Sequence, residues 1–171
     1  MRNVARLVGV GMLTLVTATH ARAQDEATAT PIPRNHVISA SPFLLMFKWF
    51  NVDYERKVSP VATVGASASY LPIDGFDYGR ATLHARYYPQ GAALTGFYVG
   101  GQASVHRAGT KRDQGVFFGA GVDVGHAWLL GAKRNHSVSV GLGTTRLFGR
   151  DLDGYALMVP NARLVNIGFA F

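Results

Sequence analysis

The chain has 171 residues, no cysteine, 48% hydrophobic residues and a formal charge of +7. That length suits one domain. The lack of cysteine excludes disulfides, thiol catalysis and cysteine-ligated zinc, and no long Lys/Arg run points to nucleic acid.

The first segment has the order of a secretory signal peptide. Arg2 and Arg6 precede a short apolar run, Leu7 to Val16, and Ala21-Arg22-Ala23 supplies an A-x-A site. Cleavage is expected after Ala23. The apolar run is too short to cross a bilayer as a helix. Cleavage removes three arginines and no acid, which lowers the charge from +7 to +4. Residues 24–35, QDEATATPIPRN, are polar and carry two prolines. They are expected to form a mobile periplasmic leader.

Residues 36–171 contain eight strand candidates. The first, His36 to Phe47, is the least regular, because Pro42 removes a donor and Leu44-Leu45-Met46 breaks the alternation. The second, Phe50 to Val58, sets Phe50, Val52, Tyr54, Arg56 and Val58 against Asn51, Asp53, Glu55 and Lys57. The third is Ala62 to Tyr70, the fourth Tyr78 to Tyr88, the fifth Gly96 to His106 and the sixth Val116 to Leu130. The seventh is Ser137 to Phe148. The eighth, Ala162 to Phe171, places Val165, Ile167, Phe169 and Phe171 on one face and Leu164, Asn166, Gly168 and Ala170 on the other. Alternation with a period of two argues half-buried strands.

This pattern predicts an all-β fold, an eight-stranded antiparallel up-and-down transmembrane β-barrel. With the first strand running outward, the inner connections near Lys57–Pro60, Pro89–Ala93 and Gly131–His136 should be short. The outer connections Arg107–Gly115 and Gly149–Pro160 should be longer, as in bacterial barrels. Aromatic residues should then form two interfacial belts. Tyr87, Phe97, Trp128, Phe169 and Phe171, with Tyr88, fall to the inner side. Trp49, Tyr70 and Phe148, with Phe50, Tyr78, Phe117 and Phe118, fall to the outer side. A soluble sandwich or lipocalin-like barrel would share the strand pattern but not the two belts.

The mature chain resembles the small outer-membrane barrels of the OmpA/OmpX type. More narrowly, NVDYERKVSPVATVGASASY (Asn51–Tyr70), GFYVGGQAS (Gly96–Ser104) and WLLGAKRNHSVSVGLGTTRLFG (Trp128–Gly149) are similar to an uncharacterised bacterial family of such proteins. The resemblance implies the outer membrane of a Gram-negative-type bacterium. It also implies insertion by the barrel-assembly machinery, with Phe171 as the terminal assembly signal.

The inward polar set is Asp53, Glu55, Lys57, Arg80, His84, Arg86, Gln102, His106 and Asp123. An eight-stranded lumen is just wide enough for side chains to fill it, so opposite charges there should pair as a structural network. A proton or small-solute path is the competing reading. His84, His106 with Ser104, and His136 with Ser137 are the only candidates for serine–histidine chemistry on lipids, and none lies in a nucleophile motif. No histidines stand at metal-ligand spacing. The Gly-rich runs lack a following helix, so no nucleotide site is expected. Basic Arg107, Lys111 and Arg112, and the segment Asp151 to Val159, could meet lipopolysaccharide or a partner. The expected role is structural or loop-mediated, without an open pore, enzyme activity or cofactor, in a monomer that contacts outer-membrane lipids and lipopolysaccharide. A narrow channel for small or apolar solutes is the first alternative and a lipid-modifying enzyme the second.

Overall fold

The computed structural model describes residues 33–73, 75–110, 114–149 and 157–171. The expected signal peptide, most of the leader, Lys111, Arg112 and residues 151–156 lie outside the described residues. Eight strands run in chain order: β1 (His36–Ala40), β2 (Phe50–Ser59), β3 (Ala62–Ile73), β4 (Phe76–Tyr87), β5 (Gly96–Gly109), β6 (Gln114–Leu130), β7 (His136–Phe148) and β8 (Met158–Ala170). Each pairs antiparallel with its sequence neighbour, and β8 returns to β1 to close the barrel. Closure leaves no edge strand to template aggregation.

Alternation does the positioning. In β4, Thr82, His84 and Arg86 are buried while Ala81, Leu83 and Ala85 are exposed. The polarity is inverted relative to a water-soluble core: buried polar residues outnumber buried apolar ones among the described residues, and the exterior carries Ile38, Val64, Leu83, Phe118, Val122 and Leu142. Exposed aromatics sort to the two ends. Tyr87, Phe97, Trp128, Phe169 and Phe171 lie toward the end that carries Asn35 and Phe171, and Phe50, Tyr70, Phe118 and Phe148 lie toward the opposite end.

Four features depart from the sequence expectations. First, β1 stops at Ala40, and Pro42–Met46 forms a short helix, α1. Proline suits the first helical turn, where its missing N–H costs nothing, and the consecutive apolar residues after it suit no two-faced strand. Second, β5 and β6 continue past the expected loop, pairing Arg107 with Val116 and Gly109 with Gln114. Only residues 110–113 remain as their connection, and β3 and β4 turn even more tightly at Ile73 and Phe76. The expected contrast between short and long connections is therefore only partial.

Third, the β4–β5 connection is not a plain turn. Ala93 and Leu94 fold beneath the barrel, where Leu94 is 2% exposed and packs with Val37, Ala170 and Leu129. Tyr88, Ala93, Tyr98 and Ala127 form the adjoining apolar cluster. The Ala93 N–H donates to the Pro60 carbonyl at 2.8 Å, which ties this plug to the neighbouring turn. Tyr88 thus belongs to the interior, not to the inner aromatic belt.

Fourth, β8 carries a β-bulge. Ser139 pairs with Asn166, but Gly141 pairs with Arg163, so Val140 faces two residues, Leu164 and Val165. A bulge shifts the phase of alternation. Below it Asn166 and Ala170 point inward as expected. Above it Leu164 is exposed and Arg163 turns into the lumen.

Candidate functional site

The lumen has three storeys. The apolar plug closes the terminal end. A charged layer fills the middle. A cavity of about 280 Å³ occupies the opposite half.

The middle layer is built around Arg86. Its Nη1 pairs with Glu55, its Nε lies 3.5 Å from Asp123 Oδ2, and its guanidinium stacks 4.8 Å above the Tyr98 ring. Glu55 Oε1 also accepts from the Tyr88 hydroxyl at 2.8 Å and from Thr63 Oγ1. A buried carboxylate with three donors meets the cost of leaving water. Glycines make room for the large groups. A side chain at Gly125 would run into the Tyr98 hydroxyl, and one at Gly65 into the His84 ring.

Above this layer, Asp53 Oδ2 accepts from Arg163 Nη2 at 3.0 Å, and His84 Nε2 lies 4.0 Å from Asp53 Oδ1. A chain of amides crosses the lumen beside them. Arg80 Nη1 donates to Asn161 Oδ1 at 3.3 Å, Asn161 Nδ2 to Gln102 Oε1 at 3.1 Å, and Gln102 Nε2 to Thr145 Oγ1 at 2.7 Å.

Seven of the nine expected lumen residues, Asp53, Glu55, Arg80, His84, Arg86, Gln102 and Asp123, come together in these two layers, and His106 is buried apart from them beside Ser104 and Tyr78. Lys57 is half-buried at the terminal end, and its side chain pairs with none of the described residues. Arg163 and Asn161 were missed, because strict alternation sends both outward. The sign was available: an arginine on the same expected face as Val165 and Ile167 argues that the period breaks between them. Trp49, expected at the outer belt, instead lines the cavity, with its ring edge-on to Tyr78 at 6.1 Å. Tyr78 also turns inward, toward His106. Phe117, also expected at the outer belt, is half-buried and paired with buried His106, and the remaining belt residues, Phe50, Tyr70, Tyr87, Phe97, Phe118, Trp128, Phe148, Phe169 and Phe171, are exposed.

Two arrangements invite chemistry. Ser104 Oγ lies 2.8 Å from His106 Nε2, and His106 Nδ1 lies 2.8 Å from the Tyr78 hydroxyl. This has the order of nucleophile, base and orienting group. Ser104 and His106 are, however, buried against Gly119 and Thr145 and do not line the cavity. His136 and Ser137 point to opposite faces of β7. Asp53, Glu55 and His84 could each offer a metal ligand, with the three atoms within 4.8 Å of one another. Both carboxylates already face a guanidinium, and a cation there would meet Arg86 and Arg163.

A family model described as "Protein of unknown function (DUF3575)" matches residues 12–158. No curated protein and no solved structure matches the chain.

Proposed function

The chain belongs to the DUF3575 family of proteins of unknown function, and from that premise we propose that it is an outer-membrane barrel of the OmpA/OmpX type, with a non-conducting lumen. The observation that carries this reading is the inverted polarity. A surface of Leu, Val, Ile and Phe around a charged interior suits a hydrocarbon surround and is costly in water. The two belts of exposed aromatics support it, as interfacial girdles. So does the basic, apolar and small-residue order of residues 2–23, which fits export.

The barrel contacts outer-membrane lipids and lipopolysaccharide and is inserted by the barrel-assembly machinery. The apolar α1 segment, with Phe43, Leu45, Met46 and Phe47 all exposed, suits the outer interface. The plug around Leu94 and the Arg86 layer block the lumen twice, which supports a structural or loop-mediated role over conduction. The enclosed Ser104–His106 pair argues against lipid hydrolysis.

The test is direct. The expressed chain should be recovered in the outer-membrane fraction and migrate faster on a gel when unheated. In planar bilayers it should stay at background conductance. Recovery in the soluble periplasm would overturn the location, and steady single-channel steps would overturn the closed lumen.

A further inference from the structure

The upper lumen holds more positive hydrogen-bonding capacity than its carboxylates use. Arg86 takes two acids, Glu55 and Asp123, and Arg163 takes Asp53. Arg80 is left with the Asn161 side-chain oxygen alone, at 3.3 Å, and with no carboxylate within 4.0 Å among the described residues. An arginine in a narrow lumen that bonds only a neutral amide carries four unused N–H donors. Arg80 lines the cavity.

The cavity wall has further unspent polar atoms. Ser69 Oγ and His84 Nε2 have no hydrogen-bond partner among the described residues, although Ser69 is 8% and His84 5% exposed. Trp49 Nε1, a donor only, is also unpartnered among the described residues. All three residues line the same cavity as Arg80. Buried polar groups are normally satisfied, so several unsatisfied ones around one space point to something that occupies it. A volume of about 280 Å³ falls just below the range of drug-sized pockets, which begins at about 300 Å³, and suits a smaller solute.

We propose that this cavity binds a small oxyanion, a carboxylate or phosphate group, with Arg80 as its charge partner and Trp49 Nε1 and Ser69 Oγ as supporting donors. Arg–oxyanion pairs are often bidentate, which a guanidinium with free donors permits. Two carboxylates also line the cavity, and each already faces a guanidinium: Asp53 that of Arg163, and Asp123 that of Arg86 at 3.5 Å, although Asp123 Oδ1 has no hydrogen-bond partner among the described residues. Leu44 and Trp49 line the cavity away from the plug, so the ligand enters at the end opposite the termini. Only the side of entry rests on the outer-membrane reading: there, that end faces outward.

The chain contains two tryptophans, which makes Trp49 its own reporter. Trp128→Phe, on the exterior, leaves Trp49 alone. The folded full chain in neutral detergent micelles is titrated with inorganic phosphate and with galacturonate. Neutral galactose and choline chloride serve as controls, and a parallel arm dopes the micelles with phosphatidylglycerol. The expected result is a saturable change in Trp49 emission with an anion and none with either control. A change with the soluble anions assigns the ligand to free solutes, and a change with phosphatidylglycerol alone assigns it to a lipid headgroup.

Arg80→Gln should weaken binding at least tenfold, and Arg80→Lys, which keeps the charge but loses the fork, should weaken it less. Each variant is read only after it shows heat-modifiable migration, so a folding failure is seen as such. No saturable change with any anion, an equal response to galactose, or unaltered binding in both Arg80 variants would overturn the proposal. Failure of the outer-membrane reading would appear in cell fractionation and would leave this titration unchanged.

Discussion

Arg163 Nη2 donates to Asp53 Oδ2 at 3.0 Å, joining residues 110 positions apart. The contact depends on the bulge, which shifts the phase of β8 by one residue. With every residue kept but no bulge at Leu164 and Val165, Arg163 would face outward and Asp53 would lose the guanidinium that balances it. The Asp53 side chain is 3% exposed, so bulk solvent screens its charge poorly.

Breaking this pair should therefore cost more than a surface ion pair. Arg163→Gln is expected to lower stability by about 3–5 kcal/mol, because an uncompensated charge stays buried. Asp53→Asn in the same background should recover part of the loss. Urea unfolding of the chain folded in detergent measures both. A wild-type midpoint for Arg163→Gln would contradict the buried pair.

Deleting Val165 tests the bulge itself. The strand regains a strict period of two with both flanks in phase: Asn166 and Arg163 still face the lumen and Leu164 still faces out. The Arg163–Asp53 pair should survive, so the loss of stability should be smaller than that of Arg163→Gln. A loss as large as that of Arg163→Gln would mean that the pair needs the local twist of the bulge.

The two blocks in the lumen act in series. Replacing residues 90–94 by a Gly-Asn turn removes the plug but leaves Arg86 bridging Glu55 and Asp123. Arg86→Ala removes the bridge but leaves the plug. Each variant alone should stay at background conductance in planar bilayers, and the combination should conduct. Conductance from the plug deletion alone would show that the charged layer is already open.

Gly125 has no room to grow. An added methyl group would meet the Val140 carbonyl and the Tyr98 hydroxyl, so Gly125→Ala should cost about 1–3 kcal/mol by overpacking. Gly101, where a Cβ meets nothing within 4 Å, is the matched control and should tolerate alanine. Equal behaviour of the two variants in urea would contradict the packing around Tyr98.

Much of the fold was legible because polarity alternates so cleanly. Phe50 to Val58 was expected as a strand, and β2 runs from Phe50 to Ser59. The inward set followed from the same parity: Asp53 and Glu55 share a face, as do Arg80, His84 and Arg86. Parity fails where the backbone leaves the regular pleat. It could not reveal that Pro42 starts a helical turn, that Leu94 folds back under the barrel, or that Arg163 changes face. Each of these depends on a tertiary fit: a neighbour to plug, a carboxylate to reach, a barrel end to cover. Trp49 shows the same limit. Its aromatic character suggested a belt, but the turn that follows α1, with Lys48 at φ 59°, aims it at the cavity instead.

The brevity of β1 has a mechanical consequence. Its ladder to β8 has four residue pairs, whereas β5 and β6 share fourteen. Backbone opening should start along this line, so its amides should be the first in the barrel wall to exchange with solvent. Once parted, β1 and β8 become two raw edges of an otherwise intact curved sheet. The molecule's easiest route to pairing with a second copy of itself is therefore to unzip there and lend one edge to its neighbour.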